Sequence, residues 1–554
     1  MLLPRRALAL LSLTAFIVAC APSAGPTDGT GRAAEVPTVP PPKGAAVQYL
    51  VLAPRAYADE LQPLLDLRKS QGHLAKLEAV EDIYAARSGG KPTAEALADE
   101  IAEIAGSTTP QALKYVVLAG DPVGGPAPVP SFFSKIGDWI PDGFDAHPHR
   151  TDFDYSMFDK HTVAVGRLPA RTEAEMTILV QKLLAYEAAS STGAWQRRVL
   201  VFGGPADFGP IADGALESQA TTLLDELLPY DYDVGVIFAK ADSPYVYRYD
   251  QLGTKIIHEL NEGSLLAVYA GHGLEDSFDR ARYRGHRYPI GSVKELEALN
   301  IVKGAPIFVS LTCLTGEYGR PSGERSLAET MILHPHGPVA VFAASDVSHP
   351  YPNLLYAQAL LDSVILKRSP TIGDAIVLAK RGMLERSIPF ASLLVPGDLD
   401  AIKKEHLTLY NLLGDPATRI RLPLAASVAM DKQTVSPGQK IALTINSKDV
   451  AEAPMVVTVE TERSALKPGM VASRDIEAMP IEQAFEAMAK NYELASDKVL
   501  SKVEGKLAGG AGLLEVVAPS APGRYIAKVL LQGDQGIASG HVRFEVRAGE
   551  LSAR

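Results

Sequence analysis

An α/β region built on a largely parallel sheet, followed by a small β-sandwich, is the architecture the sequence predicts. Three observations predict it. From residue 46 to about residue 422, short apolar runs alternate with amphipathic segments of helical period. After Pro423 the pattern changes to β-branched and alternating segments, with Gly, Pro and Asp between them. Hydrophobic residues make up 47% and charged residues 21%, which is globular usage and excludes a wholly disordered chain.

The apolar runs are Tyr49–Leu52, Tyr115–Leu118, Thr162–Val165, Val199–Phe202, Val234–Phe238, Leu265–Tyr269, Ile307–Leu311 and Val339–Ala343. Each is short and rich in Val, Ile, Leu or aromatics, as strands buried on both faces require. Between them Glu95–Ala105, Glu173–Ala189, Asp213–Leu228, Leu327–Leu333 and Asn353–Leu366 carry apolar residues at three- and four-residue spacing, which predicts helices. This stretch is long for one α/β layer, so two subdomains are expected, 46–191 and 192–422, divided at the loop signal Ser190-Ser191-Thr192-Gly193. In 423–554, the segments Val428–Val435, Lys440–Thr444, Met455–Thr461, Gly512–Val517, Gly523–Leu531 and Gly540–Val546 read as sandwich strands. Ile481–Val503 reads as a helical insertion, opened by Pro480 and carrying Ile481, Phe485, Met488 and Tyr492 on one face.

The formal charge is 54 − 65 = −11, with no basic patch, so a nucleic-acid partner is not expected. No apolar run is long enough for a transmembrane helix. There are only two cysteines, Cys20 and Cys313, so no disulfide framework or cysteine-based zinc site is available and each needs its own explanation. Residues 1–19 read as an export signal, with Arg5 and Arg6 before the apolar stretch Ala7–Val18. The ending Val18-Ala19-Cys20 resembles a bacterial lipobox, which implies cleavage before Cys20, acylation of its sulfur and a lipid bilayer as partner. An ordinary signal peptide with an incidental cysteine is the alternative. Residues 20–45, rich in Pro, Gly, Ala and Thr, read as a flexible tether holding the folded part off the cell envelope, at the outer membrane or cell surface. An acylated Cys20 leaves Cys313 as the only free thiol, unusual for an exported protein.

The chemistry falls at two strand ends. One run, Leu265–Tyr269, leads through Ala270 into Gly271-His272-Gly273; another, Ile307–Leu311, leads into Thr312-Cys313-Leu314-Thr315-Gly316. Ligands in open α/β sheets bind at carboxyl ends of strands. The separation, 313 − 272 = 41 residues, suits one strand–crossover–strand unit, which brings both side chains to one sheet edge. A thiolate is a nucleophile, and an imidazole beside it raises the thiolate fraction and protonates a departing amine. The backbone N–H groups of Gly273 and Cys313 are candidates for stabilising an oxyanion. The competing reading is a buried structural cysteine with an unrelated core histidine.

The chain resembles the gingipain-type cysteine peptidases in these two motifs and beyond them. Tyr115-Val116-Val117-Leu118-Ala119-Gly120-Asp121, Thr151-Asp152-Phe153-Asp154-Tyr155, Val165-Gly166-Arg167-Leu168 and Tyr410-Asn411-Leu412-Leu413-Gly414-Asp415-Pro416 are similar to further family landmarks. The resemblance implies a caspase-like fold for the catalytic region and an immunoglobulin-like β-sandwich after it. It implies that Cys313 is the nucleophile, His272 the general acid/base and Gly273 an oxyanion donor. It also implies an acid that grips a basic side chain preceding the scissile bond. Asp213 matches that acid best, with Asp207 as a second acid nearby that orients His272; a helix N-terminal acid is the alternative for Asp213. The chain departs from the family in Ala344–Tyr351, which has no tryptophan where a pocket tryptophan is expected, and in lacking a long segment between signal and catalytic region.

Rival signals are weak. Neither Gly-x-Ser-x-Gly nor His-Glu-x-x-His occurs. His147-Pro148-His149 and His334-Pro335-His336 read as loop chemistry rather than metal ligation. Asp142, Asp145, Asp152, Asp154 and Asp159 offer oxygen donors of the kind Ca²⁺ takes, without EF-hand spacing; a solvated loop is the alternative. The expectation is therefore an exported, lipid-anchored cysteine endopeptidase acting on proteins or peptides, needing no cofactor and cleaving after Arg or Lys. A catalytically silent binding protein and a transpeptidase are the other classes these residues allow.

Overall fold

The computed structural model of the chain describes residues 47–107, 112–137, 148–158, 162–188, 190–205, 225, 227–388, 397–533 and 536–548. The expected signal, Cys20 and the tether lie outside them. Among the described residues fourteen strands precede the sandwich: β1 Tyr49–Ala53, β2 Ala75–Ala79, β3 Tyr115–Ala119, β4 Phe132–Ser134, β5 His149–Thr151, β6 Ala164–Leu168, β7 Arg198–Gly203, β8 Asp233–Phe238, β9 Leu266–Ala270, β10 Arg280–Tyr283, β11 His286–Pro289, β12 Ile307–Leu311, β13 Ala340–Ala344 and β14 Tyr410–Leu413. Ten of them form one sheet in the order β2-β1-β3-β6-β14-β13-β12-β9-β7-β8. Parallel ladders join β2-β1-β3-β6 and β13-β12-β9-β7-β8. β14 lies between these blocks, antiparallel to β13 and meeting β6 at Leu413 and Arg167. Strands before and after Ser191 thus share one sheet.

The sheet forms because its central strands carry nothing polar that needs water. Tyr49–Ala53, Tyr115–Ala119 and Ala340–Ala344 are buried at every position, as strands covered on both faces by helices must be. Helices not expected from the sequence, Ala58–Ser70, Val80–Arg87, Leu252–Asn261, Ile372–Glu385 and Leu399–Leu409, complete the cover. The sequence landmarks are the polar clasps between blocks. Asp415 accepts from the Tyr49 hydroxyl at 3.0 Å and from Arg68 Nη2 at 2.6 Å, while Arg68 Nη1 donates to Glu187 at 2.6 Å. Arg167 donates to both carboxylate oxygens of Asp152 at 2.7 Å. Such planar bidentate pairing suits arginine in particular.

The sandwich follows with β15 Leu424–Met430, β16 Thr434–Val435, β17 Lys440–Ser447, β18 Ala453–Thr461, β19 Val499–Leu507, β20 Ala511–Val517, β21 Gly523–Gly533 and β22 Gly536–Val546. The path is β19-β18-β21-β22-β15-β17-β20, with β16 against β22. β15 changes sheets: Leu424 and Ala425 pair with β22, and Ala426–Met430 pair with β17. Ile441, Leu443 and Ile445 alternate inward from β17 and meet Met455, Val457 and Val459 of β18. This is the immunoglobulin-like sandwich expected.

One expectation is corrected. The helical pattern read over Ile481–Val503 ends at Ser496, and Val499–Leu507 is strand β19. Val499 and Val503 favour an extended chain, and β19 has β18 to pair with. The insertion, Ser473–Ala478 plus Ile481–Ser496, packs away from the sandwich core. Ile476, Phe485, Met488 and Tyr492 belong to the core of the α/β region. Arg284, in the β10–β11 turn, donates to the carbonyls of Ile476, Glu477 and Met479. Among the described residues no helix is long and apolar enough to cross a membrane.

Candidate active site

β9 and β12 are adjacent and parallel, and Ala270 pairs with Leu311 at their carboxyl ends. His272 and Cys313 each follow two residues later, so the ladder delivers both to one rim. The approach is close. A Cβ on Gly273 would stand 2.5 Å from Thr312 Oγ1 and 2.9 Å from the Cys313 carbonyl oxygen. Only glycine fits there without displacing backbone. The His272 carbonyl accepts from the Tyr269 hydroxyl at 3.0 Å and from the Asp279 N–H at 3.2 Å. Tyr269 stacks on Phe278 with ring centroids 3.8 Å apart, which anchors the turn from below. Among the described residues, no hydrogen bond is formed by the N–H of Gly273 or of Cys313.

The turn after Cys313 is tight. The Thr315 N–H donates to the Cys313 carbonyl at 2.6 Å, closing a three-residue turn with Leu314 at its centre and φ of 59°. This is a rare conformation for a non-glycine residue. It is held from the β13 side, where the carbonyls of Asp346 and Ala344 accept from the N–H groups of Leu314 and Gly316 at 3.1 and 2.8 Å.

Cys313 is partly exposed. Its sulfur accepts from the Ser348 N–H at 3.3 Å and lies 3.6 Å from the Ser348 carbonyl oxygen and 3.9 Å from Ser348 Oγ. Burial pushes the thiol up, the two Ser348 groups pull it down, and the Asp346 carboxylate adds an upward push. Glu317 sits on the same rim. Burial raises its carboxyl, Arg320 opposes, and the charges of Glu275 and Asp346 raise it further. The Asp346 carboxylate thus acts on both the sulfur and Glu317.

Behind Ser348 lies a polar layer with three neutral histidines, of which His149 and His406 are buried and His349 half-buried. Burial holds His149 and His349 down to about 4, and His406 down to about 3. The His349 N–H donates to His406 Nε2 at 2.8 Å, and His149 Nε2 lies 3.3 Å from Thr408 Oγ1. In the two His-Pro-His motifs, His334 Nδ1 accepts from the His336 N–H, and His147 lies outside the described residues. Asp207 and Asp213 lie outside them too, as do Asp142, Asp145 and Asp159. Asp152 is committed to Arg167, and burial raises the Asp154 carboxyl. Among the described residues, no three His, Cys, Asp or Glu side chains converge to hold a metal ion. Sequence reasoning missed Asp346 and Ser348, whose segment stood out only for its absent tryptophan. It also missed Asn353, and Tyr410 figured only as a landmark.

Comparison with known proteins identifies the family and the fold. The model of peptidase family C25 matches residues 43–421, more than half of the chain. No curated protein matches it in sequence. Among solved structures, the Arg-specific cysteine proteinase gingipain R superposes with a TM-score of 0.52 at 16% identity, covering 92% of this chain and 100% of its own. A structure described only as a protease gives 0.51 at 14% identity, covering 90% and 97%. The complex of pro- and mature domains of RgpB from Porphyromonas gingivalis gives 0.49 at 14% identity, covering 90% and 100%.

Proposed function

The chain belongs to peptidase family C25 and is a cysteine-type peptidase, and on that premise we propose that Cys313 and His272 are its catalytic pair. One observation carries the reading: the Ala270–Leu311 register sets the two residues level on adjacent strand ends, with Gly273 against the Cys313 backbone. The Cys313 thiolate attacks the peptide carbonyl carbon, forming a C–S bond and an oxyanion. The N–H groups of Gly273 and Cys313, without other acceptors among the described residues, are placed to receive that charge. The C–N bond then breaks, and imidazolium at His272 gives its proton to the departing amine. Water, deprotonated by the same imidazole, attacks the thioester and releases the acid and the free thiol.

We propose endopeptidase cleavage after Arg or Lys. Glu275, Glu317 and Asp346 on the rim favour a cationic side chain, and gingipain R is Arg-specific. Asp213 is the further candidate for gripping that cation, with Asp207 as a second acid nearby. We also propose that the enzyme is exported and tethered to the cell envelope through an acylated Cys20; Cys20→Ser should then release it from the membrane fraction. The decisive experiment is a peptide library varied at the residue before the scissile bond, read against wild type and Cys313→Ala. Cleavage confined to Arg and Lys, abolished in the variant, supports the proposal. Undiminished cleavage by Cys313→Ala overturns the mechanism, and preference for acidic or apolar residues overturns the specificity.

A further inference from the structure

The Cys313 sulfur ends a chain of buried donors that the Cys–His pair does not require. The Tyr410 hydroxyl donates to Asn353 Oδ1 at 2.7 Å, and Asn353 Nδ2 donates to Ser348 Oγ at 2.8 Å. Ser348 Oγ lies 3.9 Å and Ser348 N 3.3 Å from Sγ. Tyr410, Asn353 and Ser348 are all buried. The order of donors matters. A tyrosine O–H into Oδ1 fixes which way the amide faces, so its nitrogen points at Ser348. The serine oxygen then receives a hydrogen, which leaves its own free to be donated. The Tyr410 oxygen, which also interacts with the Ser348 side chain, and Sγ are the acceptors at hand.

We infer that Ser348, oriented by the positioning residues Asn353 and Tyr410, stabilises the Cys313 thiolate through its hydroxyl in addition to its backbone N–H. The inference rests on Cys313 being the nucleophile. Its physical basis is that two prearranged donors in a water-poor site stabilise a charge without reorganising when it forms. They oppose burial and the Asp346 carboxylate, which both favour the neutral thiol. Other titratable groups come from each packed element: Tyr410 of β14 interacts with Cys313, His272 follows the end of β9 on the same rim, and His349 and His406 lie beyond Ser348.

The test is the pH dependence of iodoacetamide alkylation of the Cys313 peptide, read by mass on the full chain, with cleavage of an Arg peptide assayed in parallel. Ser348→Ala should raise the apparent thiol pKa by about one unit, a roughly tenfold lower alkylation rate at pH below it. Asn353→Ala should shift it less in the same direction, and Ser348→Thr, which keeps the hydroxyl, should restore the wild-type profile. A Ser348→Ala profile that superimposes on wild type overturns the inference. If Ser348→Ala does not fold, the Asn353→Ala and Ser348→Thr profiles decide, and wild-type profiles in both overturn it. Peptide cleavage that persists in Cys313→Ala would instead overturn the catalytic reading, leaving the thiol titration to be judged by itself.

Discussion

Gly273 and Cys313 touch through their backbones, the ideal Cβ position of the first lying 2.9 Å from the carbonyl oxygen of the second. The two catalytic segments are therefore spaced by the absence of a side chain. Gly273→Ala should push the strand ends apart by a few tenths of an ångström and displace the N–H proposed for the oxyanion. We expect kcat to fall by about 10²-fold, the scale of losing one oxyanion donor, while Cys313 alkylates at its normal rate. Steady-state cleavage alongside alkylation checks this, and an unchanged kcat would refute it.

The strained turn at Leu314 makes an opposite kind of prediction. A left-handed φ of 59° costs an ordinary residue about 1–2 kcal/mol. β-Branching makes this worse, so Leu314→Ile should lower the melting temperature. Leu314→Asn tolerates the conformation and should hold or raise stability, although it gives up some apolar contact. Thermal melts of the pair read the difference directly.

What the sequence disclosed follows from how each element is buried. β9, β12 and β13 were legible because strands covered on both faces read as continuous apolar runs. β2 was not: Ala75–Ala79 is a half-exposed edge strand carrying Lys76 and Glu78, which resembles a loop. The Arg-rich hairpin of β10 and β11 hid for the same reason. His272 and Cys313 were legible as a pair because parallel strands fix the position of whatever follows them. The Ser348–Asn353–Tyr410 layer was not, since a loop, a helix and an antiparallel strand meet there only once the sheet has closed.

The clasp at Asp415 should be indispensable to folding. Arg68 and Asp415 have fully buried side chains, and Tyr49 and the Ala417 N–H also donate to the carboxylate. Removing one partner strands a buried charge, at a cost of about 3–5 kcal/mol. Asp415→Ala should therefore lose that much in urea unfolding or fail to accumulate. A loss below about 1 kcal/mol, the range of a surface pair, would show that water reaches the site.

Acid should weaken the protein through the histidines behind Ser348. Burial holds His149 and His349 at about 4 and His406 at about 3 in the folded state, against about 6.5 in an unfolded chain. A depressed folded value means the unfolded chain binds protons first as pH falls. The stabilising contribution is thus complete above about pH 6.5 and declines toward pH 4 and 3. For His406 it is on the order of 3–5 kcal/mol. His406→Gln should be less stable than wild type at pH 8 and decline less steeply between pH 6.5 and 4. Parallel slopes for the two proteins in that window would exclude His406 as a source.

The helical insertion should behave as part of the catalytic region, though its sequence interrupts the sandwich. Phe485 packs on Tyr283 and Tyr288, with ring centroids 5.9 and 5.8 Å away, and Tyr283 stacks on Tyr249 at 4.9 Å. β10, which carries Tyr283, begins directly after Asp279, whose N–H holds the His272 carbonyl. The chain's two tryptophans, Trp139 and Trp195, both precede the sandwich in sequence, and Trp195 lies in the core of the α/β region with its ring centroid 5.8 Å from that of Tyr186, so its fluorescence reports that core. Phe485→Ala should cost about 3–5 kcal/mol, visible in that fluorescence, and should slow peptide cleavage more than Cys313 alkylation because it loosens the histidine side of the pair. Leu443→Ala, in the core between the sandwich sheets, removes a comparable contact from the other hydrophobic cluster. Its effect on the indole transition should be smaller than that of Phe485→Ala. The reverse ranking would mean that the insertion draws its stability from the sandwich, and that the catalytic core closes without it.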